Sequence, residues 1–453
     1  MPEKSLYQNI LITGTIGTGK TSSAMYPFTK QLMSYCHQNS DKKLGMLILD
    51  VKGNYYQKVL EFAKELNRLQ DIIVIELGGK YHYNPLHKPN LKPIILANRL
   101  KTILLLFSKN NSETYWLDEA EKVLAEAIKL CRLYNNNYVT FEELHKLITQ
   151  PTYYLEKVTL LRKKFIQNAF SQNEIYDLLS SITFFEKEFL SLDNRTLSIL
   201  KSEITRITNC FISDYEVLRT FNPTQAELNF LGFEQVLKQG KIVVLNMNVS
   251  EYSNLSKIIA AYLKLDFQTE VMARLSKSSN NEFRSVCFIS DEYSEYCTET
   301  DAHFFAQSRE AKCINIIATQ SYTSLLNALH DQSSVNVIVQ NLINKLWFRS
   351  DDIWTIESAQ KQIGKEEKER ISKGISENAK ETVFNYFTNS LHSQNSSISE
   401  TISTYTHSDF VYDTNFFTQS LENFTCLSFL SNGIKIIAPQ KIHLLPYFIS
   451  HPC

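Results

Sequence analysis

A short apolar run enters a glycine-rich loop near the start of the chain. Residues 9–21 read NILITGTIGTGKT, which predicts a strand, then a G-x-x-x-x-G-K-T loop, then a helix. Glycines at these spacings let backbone N–H groups approach phosphate oxygens without a Cβ in the way. The N-terminus of the helix behind the loop adds a dipole that favours an anion. The stretch therefore predicts a nucleotide phosphate site within an α/β domain.

The side chains of this loop predict ATP and Mg²⁺ as the ligands. Lys20 would contact the β- and γ-phosphates, and the Thr21 hydroxyl would bind Mg²⁺. The chain holds 12 glycines in 453 residues, and three of them fall between 14 and 19, which disfavours a surface turn that mimics the motif by chance. The residues predicted to hold the nucleotide are Gly14, Thr15, Gly17, Thr18, Gly19, Lys20 and Thr21.

Charge and cysteine usage exclude several classes of protein. Lys and Arg number 47 against 48 Asp and Glu, so no overall basic field indicates a DNA-coating protein, whereas a motor with a local basic channel is allowed. The eight cysteines include no C-x-x-C pair, which argues against a zinc site or a disulfide framework and favours reduced thiols in the cytoplasm. No secretory signal or membrane-spanning run is present in this sequence.

Hydrophobic periodicity divides the chain into three stretches. Strand and helix patterns alternate through residues 1–90, which indicates a parallel sheet with helices on its faces. Residues 91–220 carry a period near 3.6 and predict an inserted all-α domain. The α/β pattern resumes over 221–453, where we expect 335–340 and 345–349 to extend the sheet or its margin. Residues 365–409, rich in Ser, Thr, Asn, Glu and Lys, predict a mobile or β-ribbon excursion.

A second apolar strand, predicted at 286–289, runs into an acidic pair with the form of a Walker B strand. Asp291 would hold Mg²⁺, and Glu292 would act as the general base towards the attacking water. Two adjacent carboxylates are costly to place together unless a cation is present, which disfavours a solvated acidic turn. A free second carboxylate suits hydrolysis better than phosphate transfer to a small molecule.

Two more polar residues fit the same chemistry. Gln320 follows the strand predicted at 314–318 and would sense the γ-phosphate or orient water, the alternative being a plain turn residue. Arg309 falls in a helix predicted over 301–311. In a ring of subunits it would reach the neighbour's γ-phosphate as an arginine finger. The alternative is an ordinary surface arginine paired with Glu310 or another carboxylate.

Seven motifs come in an order that resembles the type IV secretion coupling proteins, in the TraG/TraD branch of conjugative DNA-transfer ATPases within the FtsK/HerA group. The resemblance covers about residues 9–437, and the ordered set makes it specific. The motifs are Gly14-Thr15-x-x-Thr18-Gly19-Lys20-Thr21, Asp50-x-Lys52-Gly53, Tyr83-Asn84-Pro85-Leu86, Trp116, Asp291-Glu292-Tyr293, Ser308-Arg309-Glu310 and Ala318-Thr319-Gln320-Ser321.

The resemblance implies a RecA-like P-loop NTPase domain, interrupted by the all-α domain, in a homo-hexameric ring. It implies ATP-driven transfer of DNA, often with an attached relaxase, to a secretion channel at the inner membrane. By position, Asp291 and Glu292 form Walker B, Arg309 is the finger acting in trans and Gln320 is the sensor. The helical domain would recognise the DNA-processing complex.

The alternatives are a HerA- or FtsK-like motor for DNA processing and a receptor that only binds ATP while recruiting secretion substrates. Coupling proteins usually carry transmembrane helices before the phosphate loop, whereas only 13 residues precede Gly14 here. We therefore expect a cytoplasmic chain, or one held peripherally at the cytoplasmic face of the membrane. Any anchor is absent, supplied by a partner or outside this sequence.

Overall fold

A nine-stranded sheet forms the centre of the computed structural model, which describes residues 1–106, 114–167, 170–247, 249–276, 283–378, 383–392 and 397–449. The strands are β1 Ile10–Thr13, β2 Gly45–Leu49, β3 Ile72–Ile75, β4 Ile242–Leu245, β5 Val286–Ser290, β6 Cys313–Thr319, β7 Asn344–Phe348, β8 Lys365–Asn378, β9 Val383–Asn385, β10 Ser390–His392, β11 Ser397–Phe410, β12 Thr425–Phe429 and β13 Gln440–His443.

Helices cover the sheet and fill the long segment between β3 and β4. They are α1 Glu3–Leu6, α2 Tyr26–Ser34, α3 Tyr55–Glu65, α4 Pro93–Leu105, α5 Thr114–Tyr134, α6 Phe141–Thr149, α7 Pro151–Ile166, α8 Gln172–Phe184, α9 Asn194–Cys210, α10 Tyr215–Phe221, α11 Glu234–Gln239, α12 Val249–Ala273, α13 Asp301–Gln307, α14 Tyr322–Leu329, α15 Gln332–Asn341 and α16 Ile353–Ile363.

The strand order is β3-β4-β2-β5-β6-β1-β7-β12-β13. The first seven of these pair in parallel, while β12 runs antiparallel to both β7 and β13. The innermost strands are buried on both faces, as expected for parallel strands whose two sides are covered by helices. The predicted α/β class with a largely parallel sheet is confirmed.

The helices α4 and α6 to α9 pack against α5, the longest helix of this segment. The helical period predicted for this segment is observed in α5, and α6 begins where Thr140 accepts a hydrogen bond from the Glu143 N–H at 3.2 Å. Phe141 stacks on Phe211 with ring centroids 3.8 Å apart, which joins α6 to the end of α9. The limits drawn at 91 and 220 for this helical domain stay a prediction.

Two local predictions were wrong, and a third, which allowed a mobile segment or a β-ribbon, is observed as a ribbon. Residues 335–340 lie in α15 rather than a strand, because Asp331 caps the helix by accepting from the Ser333 and Ser334 N–H groups. The helix predicted over 301–311 ends at Gln307, and Arg309 lies in the turn that follows. In the predicted excursion, β8 and β11 pair along all 14 residues as an antiparallel ribbon.

Within the described ranges, none of the helices has the length and apolar character that crossing a bilayer requires.

A buried charge cluster joins the helical segment to the sheet domain. The carboxylate of Asp266, on α12, lies 2.6 Å from the Lys88 ammonium and 3.0 Å from the Arg99 guanidinium on α4, and it accepts the Tyr83 hydroxyl at 2.7 Å. Burial raises the pKa of Asp266, but Lys88 and Arg99 outweigh that effect and hold it below the usual range. One carboxylate is therefore the shared partner of two buried cations at this junction.

We expect Asp266→Ala to lower the free energy of unfolding by about 3–5 kcal/mol, because two buried cations lose their counter-charge. Urea denaturation followed by tryptophan fluorescence measures the loss. Glu186→Ala is the control, since Glu186 pairs with Arg162 on an exposed surface, and such pairs contribute ~0–1 kcal/mol. Equal losses in the two variants would show that the junction does not depend on this cluster.

Candidate nucleotide-binding site

The carboxyl ends of four adjacent parallel strands bring the predicted site together. In the order β2-β5-β6-β1, these ends lead to Asp50, to Asp291, to Gln320 and to the glycine-rich loop. Their register aligns Leu49 with Ser290 and Thr13 with Thr319, so the four strands finish at one edge. Ligands of open α/β sheets bind at this edge, where the loops gather.

The loop after β1 is closed by its own lysine. The Lys20 ammonium is buried and donates to the carbonyl oxygens of Gly14 and of Thr15, the latter at 3.1 Å. Burial lowers the pKa of Lys20, against the opposing effect of the neighbouring Glu292 and Asp291 carboxylates. A phosphate would offer this cation charged partners in place of two carbonyls.

Two glycines give the loop its shape. Gly17 and Gly19 have φ of 79° and 95°, a region that side chains disfavour. A Cβ on Gly17 would meet open space, whereas one on Gly19 would clash with the Phe424 ring. After Gly19 the chain enters a π-helical turn, Lys20–Met25, that continues into α2.

Thr21 and Asp291 form the candidate Mg²⁺ position. The Thr21 hydroxyl donates to the Asp291 carboxylate at 2.8 Å, and Asp291 is 1% exposed. Proteins that bind Mg²⁺ together with nucleotide phosphates commonly supply a hydroxyl and a carboxylate as its oxygen ligands. The donor set therefore fits the predicted ion.

Glu292 lies beside Asp291 in a left-handed conformation, with φ 48° and ψ 48°. Its side chain is 12% exposed and approaches the Gln320 amide nitrogen at 3.5 Å. The pKa of Glu292 is raised, mainly by burial and further by the Asp291 charge. Lys52, Lys20 and the Gln320 amide act in the opposite direction but are outweighed. A carboxyl group with a raised pKa is a stronger proton acceptor once ionised, as a general base requires.

Lys52 is a site residue that the sequence reasoning did not assign. Its ammonium lies 3.7 Å from the Glu292 carboxylate. The Asp50 carboxylate accepts the N–H groups of Lys52 at 3.1 Å and of Asn54 and Tyr55 at 3.2 Å, which fixes the turn carrying Lys52. The Asp50-x-Lys52-Gly53 motif, which follows β2 at the carboxyl edge of the sheet, is the signal that would have found it.

The C-terminal tail also contacts the loop. Phe424 donates its N–H to the Thr18 carbonyl, and Tyr447 donates its N–H to the Ser22 carbonyl, both at 2.9 Å. This contact of the tail with the phosphate loop follows from the antiparallel pairing of β12 with β7, which periodicity does not reveal.

Arg309 does not join this site within its own subunit. It is exposed and lies at the amino end of β6, while Gln320 and the loop lie at the carboxyl edge. Seven strand residues separate these edges, which is about 23 Å at the rise of a β-strand. In the described part of the chain its guanidinium makes no ion pair, with Glu310 or any other carboxylate.

Comparison with protein families matches part of the chain to one family model. Residues 1–191 match the family model described as the type IV secretion-system coupling protein DNA-binding domain. A search of curated proteins found no match.

Solved structures share the fold at low sequence identity. The unbound monoclinic form of the bacterial conjugative coupling protein TrwBdeltaN70 superposes with a TM-score of 0.64 at 14% identity, over 98% of this chain and 86% of that one. The plasmid coupling protein TrwB in complex with ADP and Mg²⁺ gives 0.64 at 11% identity, over 100% and 88%. VirB4 of Thermoanaerobacter pseudethanolicus gives 0.50 at 13% identity, over 98% and 90%. The resemblance to the coupling proteins is confirmed, as is the RecA-like fold with an all-α domain.

We expect Gly19→Ala to weaken ATP binding by about tenfold or more, because the new Cβ combines an unfavourable φ with a clash against Phe424. Gly17→Ala is the matched control: its φ is also positive but its Cβ meets open space, so the loss is smaller. Titration calorimetry measures both. Adding Phe424→Ala to Gly19→Ala should restore part of the affinity, and equal losses in the two single variants would refute the clash.

Proposed function

We propose that the chain is an ATP-hydrolysing ring motor that couples DNA, alone or with an attached relaxase, to a conjugative or type IV secretion channel. The observation that carries the proposal is the assembly of Thr21, Asp291 and Glu292 around one phosphate loop. The family match of residues 1–191 supplies the process, and the fold shared with TrwB, a conjugative coupling protein, supports it.

The site residues divide the chemistry of hydrolysis among them. Lys20 neutralises the β- and γ-phosphates, and Mg²⁺ held by Thr21 and Asp291 would offset the charge that develops on their oxygens. Glu292 accepts a proton from the attacking water. Gln320, 3.5 Å from Glu292, is placed to orient that water through its amide.

A ring explains two features that a single subunit leaves without a role. Arg309 lies at the opposite sheet edge from its own site, so it reaches a γ-phosphate only across a subunit boundary. Ile16 in the phosphate loop and Ile353 at the start of α16 are 78% and 71% exposed. Ile16 lines a cavity with Asp352, the residue before Ile353, and a neighbouring copy would cover this apolar surface.

The DNA-processing alternative in the HerA/FtsK group uses the same site chemistry. The receptor alternative leaves the Glu292 arrangement without a purpose, because a pure binder of ATP needs no buried base next to a water-orienting amide. The basic cluster at residues 162–164 adds no support for a DNA path, since Arg162 is paired with Glu186 at 3.0 Å on the surface.

We expect the ATPase rate to rise with DNA and with assembly, and Lys20→Ala to abolish it, because the phosphates lose their only buried cation from the loop. Phosphate release and light scattering, measured together with and without single- and double-stranded DNA, test this. Lys163→Ala is the control, with an unchanged rate expected. A monomer whose rate ignores DNA would refute the motor.

We expect Glu292→Gln to keep ATP affinity within a few fold while lowering hydrolysis by about 10²–10⁴, the usual contribution of a general base. Nucleotide binding and single-turnover hydrolysis separate the two effects. A conjugation assay with the same variant decides between motor and receptor: unchanged DNA transfer would favour the receptor.

A further inference from the structure

An asparagine lies in the middle of β6, one of the most buried strands of the sheet. Every residue of β6 is buried, and Asn315 is 0% exposed. A buried amide is destabilising unless its hydrogen bonds are made. The Asn315 amide donates to the Asn9 side-chain oxygen at 2.7 Å and to the Ser308 hydroxyl at 2.8 Å. Asn315 thus connects the start of β1 with the turn after α13.

Asn9 extends this connection to the end of α13. It is 2% exposed, and its amide donates to the backbone carbonyls of Phe305 and Asn341, both at 3.0 Å. The last carbonyls of a helix have no partner within the helix, so a buried amide that binds one fixes the helix end. Asn9 therefore holds the C-terminal turn of α13 against the C-terminal end of α15.

The turn after α13 is closed on both sides of Arg309. Ser308 donates its N–H to Phe304 at 2.8 Å, and its carbonyl accepts the Cys313 N–H at 2.9 Å. The Arg309 carbonyl accepts the Lys312 N–H at 3.1 Å. Arg309 is thus an exposed side chain on a backbone that is fixed from below by Asn315 and Asn9.

We propose that Asn315 and Asn9 are positioning residues for Arg309 and so act on the ATP site of the neighbouring subunit, not on their own. The inference rests on the ring proposed above. A finger that stabilises a transition state must be placed to within a fraction of an ångström, and a misplacement of 1 Å costs about 10²-fold in rate. The two buried amides supply that placement.

A separate cluster holds the other end of α13. The fully buried Lys264 ammonium lies 2.5 Å from the Asp301 carboxylate, which also accepts the Gln268 amide at 2.8 Å. Tyr293, next to Glu292, donates its hydroxyl to the same carboxylate. This cluster does not involve Asn315. Loss of the Asn315 side chain would therefore loosen the Arg309 end of α13 and leave the end near Glu292 in place.

The first test compares Asn315→Ala with Arg309→Ala. We expect Asn315→Ala to leave ATP affinity within about twofold and to lower the DNA-stimulated ATPase rate by roughly 10- to 100-fold. The double variant should be no slower than Arg309→Ala alone, because Asn315 has no guanidinium left to position once Arg309 is removed. Asn246→Ala is the control, since its amide bonds Glu76 at 2.6 Å at the end of β4, and full activity is expected.

The second test mixes subunits. Asn315→Ala subunits keep Lys20, and Lys20→Ala subunits keep a well-placed Arg309, so mixed rings contain interfaces with both. We expect the mixture to hydrolyse ATP well above either variant alone, as the mixture of Arg309→Ala with Lys20→Ala should also do. Recovery with Arg309→Ala but not with Asn315→Ala would overturn the positioning role.

Two results separate this inference from the ring itself. If Arg309→Ala leaves the ATPase rate unchanged, Arg309 is not a finger in trans. That result would refute the proposed ATP site between subunits, whatever Asn315 does. If Asn315→Ala loses its folded structure by circular dichroism, Asn9→Ala is carried through the same measurements, because it removes the link to α13 without altering β6. Its failure to recover activity in mixed rings would equally overturn the inference.

Discussion

The hydrogen bond between the Thr21 hydroxyl and the Asp291 carboxylate joins residues 270 positions apart in the chain. It forms because β1 and β5 flank β6 in one parallel sheet, so their carboxyl ends finish at the same edge. The other residues assigned to the site follow from that alignment. Glu292 comes next to Asp291, Gln320 follows β6, and Lys52, after β2, lies near the Glu292 carboxylate. The helical segment between β3 and β4 does not interrupt these four strand ends, because β3 and β4 are the two outermost strands at one side of the sheet.

The sequence predicted the parts of this arrangement that depend on local chemistry. The glycine loop, the acidic pair after an apolar strand and the helical period of residues 91–220 each follow from short-range pattern. The position of β12 and β13 does not, because antiparallel pairing at an edge depends on contacts far apart in the chain. The same limit applies to Phe424 and Lys52, whose places are set by neighbouring strands and not by their own segments.

The two segments that were mispredicted show how capping overrides propensity. Four of the six residues at 335–340 are β-branched, which favours a strand, yet the Asp331 carboxylate accepts from two N–H groups and starts a helix there. At 308–312, a left-handed Lys312 and the Ser308 to Cys313 bond end α13 early. The second of these bears on the proposed role of Arg309, because it places that residue on a closed turn and not on a helix.

In the proposed ring, one short stretch of chain would lead from the proposed general base of one ATP site to the arginine directed at the next. It begins at Glu292 on the carboxyl edge, passes through α13 and ends at Arg309 on the amino edge. Buried polar groups hold it at both ends, Asp301 with Lys264 near the first and Asn315 with Ser308 near the second. In the proposed ring, a segment held in the core at both ends would transmit a shift at Glu292 to Arg309. In a ring, that connection would let the state of one nucleotide bias hydrolysis of its neighbour's.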